Sequence, residues 1–174
     1  MTIQDPLGTI QDMRNAVERL AARIPGFAGY KARETRREAD KLLRTTIAQR
    51  IMEQVQRLSE VQRALLRSGG LRWLDDVEAA VVRLQTLADQ IRTASYGYAG
   101  VFDAVKIDEP QLARLYAYDQ QLLAAVDGFA QAIDRLQAAV GTDDFGPALA
   151  ELMRLAREAL TAFQRREETL LSAA

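Results

Sequence analysis

The chain has 174 residues, enough to bury a core without metal or disulfide support, and it holds neither cysteine nor histidine. Those absences exclude thiol nucleophiles, disulfide frameworks, zinc fingers, histidine-held haem, histidine acid–base catalysis and the Glu-x-x-His ligands of di-iron bundles. A net charge of −1 gives no general attraction to nucleic acid or anionic lipid, and no apolar run reaches the ~18 residues of a membrane span.

Apolar content of 48% with only 10 Gly and 4 Pro marks a folded chain. The first residues, Met1 to Pro6, have neither a basic nor an apolar leader region, so a cytoplasmic location is expected. Asp5-Pro6 reads as an N-cap followed by proline in the first helical turn. Behind it, Ile10, Met13, Val17, Leu20 and Ile24 step by three and four residues, a heptad seam. Pro25-Gly26 ends this first helix, and Phe27-Ala28-Gly29-Tyr30 forms an aromatic connection. The spacing predicts a second helix from about Lys31 to Arg67, on the order of 50 Å at 1.5 Å per residue. Its buried stripe is Leu43, Ile47, Ile51, Val55, Leu58, Val61 and Leu65, and Gly69-Gly70 breaks it. A third helix carries Leu74, Val77, Val81, Leu84, Ala88 and Ile91, with Asp75, Asp76 and Glu78 near its positive end.

Residues 95–110 change character: Tyr96, Tyr98 and Phe102 mix with Gly97 and Gly100, and the stretch closes on a strong helix start. Asp108 is an N-cap with Gln111 placed for a capping box, and Ile107 is placed to staple onto Leu112. The fourth helix then reads Leu112, Leu115, Asp119, Leu122, Val126, Phe129, Ile133, Leu136, Val140, apolar except at Asp119. Gly141 to Pro147 is a turn, and a final helix carries Leu149, Leu152, Ala156, Leu160, Phe163 and Leu170. No alternating strand pattern occurs. The expected fold is all-α: one domain over 1–174, an antiparallel bundle of four long helices plus a shorter N-terminal helix.

Short connections make sequential helices antiparallel neighbours, which puts residues 25–30 and 96–107 at one end of the bundle. That end collects Phe27, Tyr30, Tyr96, Tyr98, Phe102 and Tyr116; Trp73 reads as a core plug at the other. Between Lys31 and Arg50 seven basic side chains face three acidic ones, several in a first turn where cations oppose the dipole. This run is either an anion-binding face or a solvated surface laced by Arg36–Asp40, Asp40–Arg44 and Glu38–Lys41 pairs. Asp119 on an apolar seam would be costly if buried unpaired, so it titrates, turns toward water or has a partner. Arg44, Arg92, Lys106, Tyr96 and Tyr98 are the groups placed to supply one, either in a polar pocket or as a buried bond that fixes helix register.

The segment Pro25-Gly-Phe-x-Gly-Tyr-Lys31, followed by Arg36 to Arg44 and by Gly97-Tyr-Ala-Gly-Val-Phe-Asp103, resembles a family of uncharacterised bacterial helical proteins. The likeness covers the first two-thirds of the chain and implies no activity. Some of those proteins carry a C-terminal metal-binding ribbon, for which this chain, without Cys or His, has no ligand set.

The leading expectation is a non-enzymatic interaction or scaffold protein. It would bind another protein or a copy of itself through helical faces or the aromatic end. The alternative is a small-ligand or anion-binding bundle with a pocket among Arg37, Lys41, Arg44, Tyr96, Tyr98, Phe102 and Asp119, with Tyr30 at the same end. Peripheral membrane contact through the basic run is a third possibility. No nucleic-acid partner, cofactor, catalytic residue or metal ligand is expected.

Overall fold

A computed structural model describes residues 6–32, 35–94 and 108–171. Five helices account for nearly all of them: α1 (Pro6–Arg23), α2 (Arg36–Ser68), α3 (Leu74–Thr93), α4 (Glu109–Ala138) and α5 (Phe145–Leu171), with no strand among the described residues. The heptad seams face inward except at the start of α1, where Ile10 of the expected seam is 44% exposed. Leu43, Ile47, Leu58 and Leu65 of α2, Leu84 and Ile91 of α3, Leu115, Phe129 and Ile133 of α4, and Leu152 and Phe163 of α5 share one core.

Two hairpins build that core. The α2–α3 and α4–α5 interfaces are the most extensive, while α2 also packs on α4 and α3 on α5. Around the bundle the order is therefore α2, α3, α5, α4. The expectation that sequential helices are neighbours holds inside each hairpin, where tight glycine turns force it. It does not hold between α3 and α4, whose longer connection leaves them free to sit across the bundle from one another.

The first helix also departs from expectation. Instead of running antiparallel to α2, α1 lies along α4 in the same direction. Its far end is fixed by Arg23, whose Nη2 donates to both Asp127 carboxylate oxygens at 2.8 Å. Earlier on α1, Met13 and Val17 share an apolar recess with Leu112 and Tyr116 near the start of α4. The chain must then double back from Ile24 to Tyr30, and Gly26 and Gly29 both adopt positive φ to do so. A Cβ on Gly29 would stand 2.9 Å from the Tyr116 hydroxyl, so space and backbone angle alike demand glycine. Arg50 of α2 donates to the Arg23 carbonyl at 2.5 Å, satisfying an orphan acceptor at the end of α1.

The return segment explains why α2 begins at Arg36 rather than near Lys31. Phe27 and Tyr30 are buried, and the Tyr30 backbone is committed sideways: its N–H donates to Tyr116 Oη at 2.9 Å and its carbonyl accepts from Arg36 Nε at 2.5 Å. Those residues cannot enter a helical ladder. At the start of α4 the expected capping box is present in both halves, Gln111 N to Asp108 Oδ1 at 2.8 Å and Asp108 N to Gln111 Oε1 at 3.0 Å. Ile107 lies outside the described residues.

At the opposite end α5 starts at Phe145, so Pro147 sits inside its first turn, where a missing N–H costs nothing. Phe145, 1% exposed, is the plug there; Trp73 is only half-buried and leans on it at 5.4 Å between ring centroids. No described helix is long and apolar enough to cross a membrane.

Candidate functional site

Ionisable side chains converge inside the end of the bundle where α2 and α4 begin and α3 and α5 finish. Helical spacing delivers each of them. Asp40 and Arg44 are one turn apart on α2, flanking Leu43 at the start of its apolar stripe. Asp119 takes the seam position between Leu115 and Leu122. Arg166 takes the corresponding position on α5, three residues after Phe163 and four before Leu170.

Arg166 is the hub, with 1% of its surface exposed. Its Nε donates to Asp119 Oδ1 at 2.6 Å, its Nη2 to Asp40 Oδ1 at 2.6 Å and to Tyr30 Oη at 3.1 Å, and its Nη1 to Glu167 Oε1 at 3.1 Å. Tyr30 Oη in turn donates to Asp119 Oδ2 at 2.7 Å. Arg44 Nε donates to Asp40 Oδ2 at 2.7 Å, and its Nη1 donates to the Ile91 and Arg92 carbonyls at 3.2 and 2.8 Å. It thus closes the C-terminal end of α3, where carbonyls lack helical partners. The Tyr30 ring stacks on Tyr116 at 5.3 Å and meets the edge of Phe27 at 5.4 Å. The Arg166 guanidinium joins α2, α4, α5 and the returning segment, and Arg44 ties α3 to them.

Burial dominates the electrostatics. It raises the Asp119 carboxyl above its ordinary range, with the Arg166 charge and hydrogen bond pulling the other way. It raises the Tyr30 phenol too, reinforced by the Asp119 charge. For Arg166 burial opposes the charged form, but Asp119 and Asp40 outweigh it and hold the guanidinium protonated. Glu167 is raised by burial against the pull of Arg166, and its Oε2 is buried without a hydrogen-bond partner.

That orphan oxygen yields a prediction. A carboxyl raised in the folded state binds its proton more tightly there than in the unfolded chain. Stability therefore falls as pH rises through the window between its ordinary and its folded value. The Tm of Glu167→Gln relative to wild type is expected to improve as pH rises through that window. A Tm difference that does not change with pH would contradict this assignment.

The sequence-derived site residues divide into three groups. Tyr30, Arg44 and Asp119 are buried in the same network. Arg37 and Lys41 lie on the exposed side of α2. Tyr96, Tyr98 and Phe102 lie outside the described residues, as does Lys106. Asp119 pairs with neither Arg44 nor Arg92: the first turns to Asp40, and the second pairs on the surface with Asp89 at 2.6 Å. The expected Arg36–Asp40 contact gives way to Arg36 with the Tyr30 carbonyl, and the Asp40–Arg44 pair forms inside the bundle instead of on a solvated face. Arg166 and Glu167 are the network members that the apolar sequence pattern does not single out. The seam spacing that exposed Asp119 also marks position 166, in the seven-residue interval between Phe163 and Leu170.

A second feature lies on the side of the molecule. Between α1 and α4 runs an open groove of about 810 Å³, with the buried Leu20 and Leu123 in its floor beside the half-buried Tyr118 and with exposed Ala22, Ala117 and Ala124 along its walls. Its charged members are Arg19, Arg23 and Arg114, and no carboxylate lines it. Arg23 is held by Asp127. Arg19 and Arg114 have no carboxylate partner among the described residues.

Comparison with known protein families, characterised proteins and solved structures finds no match to the chain.

Proposed function

We propose that the chain is a non-catalytic interaction module that binds another protein through the outer faces of its helices. The carrying observation is a contrast between the end of the bundle and its side. At the end, Asp40, Asp119, Arg44, Arg166 and Tyr30 bond to one another in the interior, an arrangement suited to holding helices in register. On the side, an apolar-floored groove runs between two helices, and its Arg19 and Arg114 have no carboxylate partner among the described residues.

The alternative, an anion pocket between the start of α2 and residues 96–107, draws less support, because Arg44 and Asp119 are both committed to internal partners. Rigid helices displaying an open face suit recognition of another helix.

Sedimentation velocity over a range of concentrations, followed by reconstitution with a purified protein captured by the chain, tests the proposal. Reversible association with the purified partner is expected, with hydrogen-exchange protection on the outer faces of α1 and α4. A chain that stays monomeric, reconstitutes with no protein and carries a small anion in native mass spectrometry would favour the pocket instead.

A further inference from the structure

We infer that the groove between α1 and α4 receives an amphipathic helix from a partner protein, with carboxylates along the edge that faces Arg19 and Arg114. This rests on the interaction-module reading and specifies the partner's chemistry.

Shape comes first. On α4 the groove extends from Arg114 to Ala124, about 15 Å of helix at 1.5 Å per residue. It is a trough between two helices running side by side, open along its length. A site for an amphiphilic small molecule normally encloses most of the ligand's surface. A trough with Leu20, Leu123 and the Tyr118 ring in its floor instead offers one apolar surface to one apolar stripe, the geometry by which a helix lies in a groove.

Charge then selects the occupant. Arg23 is already neutralised by Asp127, so Arg19 and Arg114 carry the surplus. A second copy docking face to face would bring together two surfaces whose charged members are all arginine, and like charges across an interface are strongly unfavourable. A basic helix meets the same obstacle. A helix edged with Glu or Asp gains both cations, and because they are exposed the gain should weaken as salt is added.

The test uses the full chain and three fluorescein-labelled synthetic helices of about 20 residues. They share one Leu/Ala stripe and differ in flanking residues: Glu, Gln or Lys. Fluorescence anisotropy is expected to show the Glu peptide binding about tenfold or more tightly than the Gln peptide, with the advantage lost in concentrated salt and the Lys peptide not binding. The doubly substituted Arg19→Glu/Arg114→Glu chain alters only exposed side chains, so its fold is expected to survive. It should invert the preference toward the Lys peptide, and Ala117→Trp should block all three.

Equal binding of the Glu and Lys peptides, no binding of any peptide, or an unchanged preference in the double variant overturns the proposal. So does a long-chain fatty acid that binds with the same arginine dependence when no peptide does. Failure here can be told apart from failure of the broader reading. A chain that self-associates, or binds a purified partner equally well with and without Arg19→Glu/Arg114→Glu, remains an interaction module but loses this groove.

Discussion

Replacing Arg166 with alanine is expected to destabilise the protein by about 3–5 kcal/mol, measured by urea unfolding at neutral pH. The side chain is 1% exposed and donates to two carboxylates at 2.6 Å. Truncation leaves Asp119, 0% exposed, with only the Tyr30 hydroxyl, and halves the support of Asp40. Most of the loss is therefore the penalty of an uncompensated buried charge rather than the worth of the pair itself. A companion variant separates the two. Tyr30→Phe, Asp119→Leu, Arg166→Met and Glu167→Leu together remove the inner polar set while leaving the Asp40–Arg44 pair in place. An apolar set of similar volume needs no desolvation, so this chain is expected to recover at least about half of what Arg166→Ala loses. A loss below about 1 kcal/mol for Arg166→Ala would mean that water reaches the network and screens it.

Tyr30→Ala should cost a comparable amount, about 3–5 kcal/mol, for a different reason. Its ring is fully buried between Phe27 and Tyr116 and belongs to the segment that folds back over α1. Tyr30→Phe keeps the ring and removes only the hydroxyl that donates to Asp119, so about 1–3 kcal/mol is expected. Chemical denaturation of both variants apportions the site between packing and hydrogen bonding. A Phe variant as unstable as the Ala variant would assign the whole role to the hydroxyl. Because Tyr30 and Arg166 touch at 3.1 Å, the double alanine variant is expected to lose less than the two single losses combined.

The helices, their inward faces and the α4 capping box are legible in the chain because each is written in local spacing. Steps of three and four place Leu43, Ile47 and Ile51 on one side of a helix whatever that helix packs against. Asp119 stands out by the same rule. Arg166 obeys it too, but reading a seam by its apolar members passes over a charged residue in the middle of one. Asp40 and Arg44 were visible as a surface pair; nothing local distinguishes an i,i+4 pair in solvent from one under a lid.

Helix boundaries at the two ends of the bundle were read less well, at Arg36 and Phe145, since a lid segment and a proline in a first turn depend on what lies across the core. The course of α1 beside α4 and the cyclic order of the four other helices were beyond any local pattern. Periodicity says that a face must be buried and is silent on which neighbour buries it. The meeting of Asp119 with Arg166, 47 positions away, and the trough lined by Arg19 and Arg114 exist only because particular helices lie side by side. Packing across the core, a property of all the seams at once, made those choices.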